Sequence, residues 1–146
     1  MITIFKKCIP LLLLVTSSGI SMGQIANTRW KGEINIPDPT TVLFDFKMES
    51  VTIYYAGDKP MDIPDENGNT KSVSAKDSMI IESMTFSLKH DTVAFQKLSG
   101  HSPCDQQAVG YFTLVKGNNS IQLVLLKDDC VERGAAFDKK TLMKAD

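Results

Sequence analysis

Histidine is almost absent, with His90 and His101 the only two in 146 residues. They form no ligand pattern with each other or with the cysteines, so a catalytic zinc site lacks its donors. Basic charge is not in excess either: sixteen Lys and Arg stand against seventeen Asp and Glu. That balance leaves no footprint for nucleic acid or for an anionic membrane surface. There is no C-x-x-C pair of the redox kind, and no glycine-rich turn around a serine nucleophile. Ser99, His101 and Asp105 have the residue types of a hydrolase triad but crowd one short loop, which is not triad geometry. DENGNT at 65–70 looks like a calcium loop only superficially. With Gly68 at the loop's glycine position, Ile63 and Ser74 fall where Asp and Glu are required. We therefore expect no enzyme activity, no cofactor and no metal. No internal repeat or linker divides the chain.

A long apolar run is also missing. The longest lies around Leu11 to Val15, well short of the about 20 residues that cross a bilayer. It follows Lys6 and Lys7 and precedes small and polar residues, the pattern of a secretory signal peptide over residues 1–23, with Ser21 and Gly23 as the small residues before a mature start at Gln24. Cleavage takes the net charge from −1 to −3 by removing two lysines, and removes Cys8 as well. Cys8 precedes the apolar run, so it is not a lipidation site. Cys104 and Cys130 remain, an even pair in an exported chain, and read as one disulfide. The chain-entropy model gives such a loop roughly 3–4 kcal/mol. The expected compartment is periplasmic or extracellular, with residues 24–146 as one domain and no membrane span after cleavage.

From Arg29 to Leu126 nearly every run alternates at period two, the signature of short antiparallel strands. In RWKGEINI, Trp30, Gly32, Ile34 and Ile36 share a face, and Pro37-Asp38-Pro39 ends the run. Val42, Phe44 and Phe46, then Val51, Ile53 and Tyr55, continue a meander. Residues 57–78 break the pattern with prolines, glycines and charges and read as a solvated loop, with Val73 in a short strand. Alternation resumes with Ile81, changes phase before Met84, Phe86 and Leu88, and so implies a bulge near Glu82-Ser83. Val93 and Phe95 follow, and then AVGYFTLVK. The sequence GNNS at 117–120 is a hairpin signal that implies positive φ, and it outweighs the glycosylation sequon at Asn118. IQLVLLKDD is apolar on both faces, so one face meets the core. The other should meet the C-terminal segment, a helical turn around Glu132 to Phe137 and a short strand from Thr141 to Lys144. The total is all-β, about eight strands, an antiparallel up-and-down barrel or a sandwich, with hairpin-like links favouring the barrel.

Trp30 opens the first strand and Arg133 follows the last long one. In a closed barrel those neighbours allow the guanidinium to stack on the indole. The tryptophan of NTRWKG, the meander and the arginine of DDCVERGAAF resemble the small lipocalin-like, calycin-type exported barrels, in which an arginine after the last strand covers a first-strand tryptophan. Thr28 stands where that pattern has glycine, and no long C-terminal helix fits. The resemblance implies a non-enzymatic protein binding a small hydrophobic ligand. Phe44, Phe46, Tyr55, Met84, Phe86, Phe95 and Phe112 would line a cavity, with Tyr54 or Tyr111 as polar contacts, unless these side chains fill the core. The alternative is a protein-binding module, a periplasmic inhibitor or envelope accessory protein, acting through residues 57–78 together with Ser99 to Gln107.

Overall fold

The computed structural model describes residues 21–64, 67–74, 76 and 78–146. The leader expected over residues 1–23 therefore lies outside the described residues except for its last three. A helical turn, α1 (Met22–Ile25), enters β1 (Thr28–Ile36), β2 (Asp38–Phe46) and β3 (Ser50–Tyr55). β4 (Met61–Pro64) and β5 (Thr70–Val73) pair only with each other. Next come β6 (Ile80–Lys89), β7 (Thr92–Gly100), β8 (Val109–Lys116), β9 (Ser120–Asp128), the helix α2 (Val131–Phe137) and β10 (Lys140–Ala145). Leaving out the β4–β5 hairpin, each strand pairs with its chain neighbour and β10 pairs back onto β1, which closes an eight-stranded antiparallel barrel.

Alternation turns sequence into core because successive side chains point to opposite faces. Val42, Phe44 and Phe46 on β2 face Val51, Ile53 and Tyr55 on β3 inside the barrel, as the period-two runs predict. Phe86 lies opposite Phe95, and Leu88 opposite Val93. The expected bulge is present, with the β6–β7 register shifting between Ser83 and Met84. Its effect is local: Ile81 and Glu82 are both buried although adjacent.

Four expectations need correction. Residues 57–78 hold more than a loop with one short strand: Val73 lies in β5 as expected, but β5 pairs with β4 in a hairpin, with Gly68 at φ 79° in its turn. The GNNS hairpin closes through Gly117 N–H to the Ser120 carbonyl, 2.8 Å, without positive φ. Among the barrel hairpins a left-handed residue is found instead at His90, φ 59°, between β6 and β7. The outer face of β9 is not covered by the C-terminal segment, since Leu126 is 58% exposed. α2 turns across the barrel end instead and sends Phe137 into the core.

The fourth concerns Trp30 and Arg133. Trp30 is in register with Lys144, whose N–H bonds the Asn119 carbonyl in the β8–β9 turn. Arg133 bonds Asp128 and the Ala108 carbonyl, at the opposite end of the same hairpin. The nine residues of β9 separate the two by roughly 26 Å at about 3.3 Å per residue. No stacking is possible. The two strands are not neighbours either, since β10 lies between β1 and β9, and β9 runs away from the tryptophan end before α2 begins. Trp30 instead donates Nε1–H to Thr28 Oγ1 at 2.7 Å, and Thr28 in turn donates to the carbonyl of buried Ile25, which ties the segment before β1 over that end.

Candidate functional site

Two halves of the barrel interior differ in kind. Toward the α1 end, Phe44, Phe46, Phe86, Phe95 and Phe112 pack in ring contacts with centroids 5.1–6.1 Å apart. Phe137 reaches in from α2 to meet Phe44, Phe95 and Phe112 at 5.5, 6.0 and 5.8 Å. Aromatic pairs in these offset and edge-on geometries contribute about 0.5–1.5 kcal/mol each beyond their burial. This half is a filled core.

Above Phe137 the interior opens. A cleft of about 560 Å³ lies between α2 and the strand ends. Its strand walls are Ile34, Ile53, Ile81 and Met84, and its helix wall is Ala135, Ala136 and Phe137. Asn35 to Pro37 and His101 to Pro103 form the rim. Small alanines at 135 and 136 are what leave the space.

α2 is held in place at three points. At its start, Cys130 is bonded to Cys104 with Cα atoms 5.4 Å apart, the pairing expected from the cysteine count. In its middle, Arg133 meets Asp128 through Nε–Oδ2 at 2.8 Å and Nη2–Oδ1 at 2.7 Å, and Nη2 also reaches the Ala108 carbonyl at 3.0 Å. Just past its end, Asp138 accepts the Leu125 N–H at 2.9 Å. The Arg133 and Asp128 side chains are 3% and 2% exposed, so the pair is a buried, bidentate one. Gly110 makes room for it: a Cβ there would come within 2.2 Å of Asp128 Oδ2.

One other charged group faces the cleft from the barrel wall. Glu82 is 5% exposed, and its carboxylate accepts the Ser102 Oγ–H at 2.7 Å and the Ser102 N–H at 3.2 Å. Gly100, at φ +135°, lets the chain pass over it, since a Cβ there would meet Glu82 Oε2 at 2.2 Å. Lys97 Nζ donates to the Ser102 carbonyl at 2.6 Å and fixes the same loop from behind.

Of the expected lining residues only Met84 borders the cleft. Phe44, Phe46, Phe86, Phe95 and Phe112 belong to the packed core. The Tyr55 hydroxyl turns to the Lys59 carbonyl. Tyr111 is exposed on the outer face and Tyr54 points away from the core. Glu82, Asp128 and Ala135 were not singled out as site residues from sequence, and the His101–Pro103 rim was read only as part of a protein-binding loop. The phase change at the β6 bulge was the available signal for Glu82, because it turns an acid inward. Among the described residues no cluster of His, Cys, Asp and Glu is arranged to hold a metal ion. Comparison with protein-family models, with curated proteins and with solved structures finds no match to this chain.

Proposed function

We propose that this protein is an exported, lipocalin-like barrel that binds a small, largely apolar molecule in the cleft beneath α2, without turning it over. The observation that carries the reading is the cleft itself. Its volume, about 560 Å³, falls in the roughly 300–1,000 Å³ range of small-molecule sites, and its walls are aliphatic with few polar groups. The up-and-down closure supports the lipocalin-like part of the reading, whereas the tryptophan–arginine contact does not. The disulfide supports export, and no helix among the described residues is long and apolar enough to cross a membrane.

Displacement of a fluorescent apolar dye tests the binding. Ala135 is exposed and lines the cleft, so Ala135→Trp fills the space without overpacking the core. The wild type is expected to bind the dye and Ala135→Trp to lose it with an unchanged melting temperature. Equal dye binding by both proteins would show that the cleft is not the site. Mass spectrometry of the exported chain is expected to find Gln24 at its start.

A second reading rests on the β4–β5 hairpin, which stands outside the barrel sheet with Thr70 to Ser72 exposed. Met61 and Val73 anchor the arm on the barrel and leave Thr70 to Ser72 free to contact a partner. Replacing Thr70, Lys71 and Ser72 together should then abolish capture of a partner with the melting transition unchanged, and partners still captured by that variant would count against it.

A further inference from the structure

The ionisable groups around the cleft are Glu82, Glu132, His101 and Arg133. Arg133 is already neutralised, since Asp128 holds two of its nitrogens at 2.7 and 2.8 Å. Its third nitrogen, Nη1, has no partner but is buried with essentially no accessible surface, so a ligand in the cleft does not reach it. His101, exposed at the rim, and two carboxylates remain. Glu132 is exposed at the rim, and Glu82 is buried in the wall.

Glu82 is bonded only by neutral donors, the Ser102 hydroxyl and amide. Among the described residues no basic side chain forms an ion pair with it. Lys97 directs Nζ to the Ser102 carbonyl instead. An ionised carboxylate has about four acceptor positions, and Ser102 takes two. The cleft is thus an apolar space with a negative wall and open acceptor capacity.

We propose that its ligand class is the apolar amines, with the protonated nitrogen seated against Glu82 and the hydrocarbon body against Ile53, Ile81 and Met84. This rests on the cleft being the binding site. A cation here gains a charge-assisted hydrogen bond in a poorly hydrated setting, where charges act more strongly than in water. A carboxylate would meet two like charges and an arginine already taken. An uncharged alcohol would gain only the apolar contact.

Three ligands with one tail and different heads separate these cases: decylamine, 1-decanol and decanoate, each titrated calorimetrically at neutral pH below its micelle concentration. Decylamine is expected to bind the wild type at least about tenfold tighter than decanol, with decanoate weakest. Ala135→Trp should abolish all binding. In Glu82→Gln the amine should fall to within about twofold of decanol, with decanol itself unchanged. Decanoate binding as tightly as the amine, or an amine preference that survives Glu82→Gln, overturns the proposal. Binding of decanol and decanoate in the cleft without the amine ends this inference and leaves the binding reading intact. Failure of all three ends both. Where Glu82→Gln does not fold, Glu132→Gln decides the question: an amine preference kept in that variant supports Glu82, and one lost there overturns the proposal.

Discussion

Arg133 carries five N–H donors into a setting that is nearly dry, and Asp128 is the acid that makes this tolerable. Removing one partner of such a pair strands the other, which costs about 3–5 kcal/mol, whereas replacing both with apolar groups is often close to neutral. Arg133→Met is therefore expected to lower the urea-unfolding free energy by about 3–5 kcal/mol, and Asp128→Leu/Arg133→Met by much less. A single mutant within about 1 kcal/mol of wild type would mean the pair is not structural. Gly110→Ala acts on the same pair, because the added Cβ displaces Asp128 Oδ2, and should destabilise in the same direction. Trp30 is the control. Lying at the other end of the barrel, Trp30→Phe should add to Arg133→Met within roughly 0.5 kcal/mol. At this scale the sequence showed that Trp30 and Arg133 matter to the barrel but paired them wrongly. Asp128 is the arginine's true partner. A buried arginine needs an acid, and which acid is a matter of strand length and direction.

The strands were legible because a half-buried sheet face forces alternation, and the β6 bulge was legible as a slip in that alternation. The helix was legible as a short turn but not in its position. Nothing in VERGAAF distinguishes lying over β9 from lying across the barrel mouth, and it is Phe137 joining the phenylalanine core that decides. Of the β4–β5 hairpin only the strand at Val73 was legible, because β4, four residues set against Pro60 and ending at Pro64, gives too few alternations to stand out. Position makes α2 the element on which the cleft depends, since it supplies one wall and is tethered by the disulfide. Cys104→Ser/Cys130→Ser is expected to lose roughly 3 kcal/mol. Hydrogen exchange should then quicken in α2 and in residues 101–107 before it does in β2 or β8. Uniform acceleration across the barrel would argue that α2 does not open separately.

For the whole molecule, closure is the decisive property. An open sheet of this size leaves two strands with unpaired N–H and C=O groups, which invite pairing with other chains, and a barrel has no such edges. Here closure depends on the last strand, β10, which pairs with β9 on one side and β1 on the other. Its approach to β1 is close enough that a Cβ at Gly32 would meet the Thr141 carbonyl at 2.7 Å. Leu142, fully buried, also fixes β10 into the core. Deleting Lys140–Asp146 leaves α2 and its tethers in place but strips β1 and β9 of a partner. The truncated protein is expected to self-associate, seen as a shift from monomer to dimer and larger species in light scattering after size exclusion. The disulfide and the Arg133–Asp128 pair should persist in those species, because neither involves β10. A truncated chain that stays monomeric with the wild-type melting temperature would show that the other seven strands close without it, and that β10 is an addition to the barrel, not its seam.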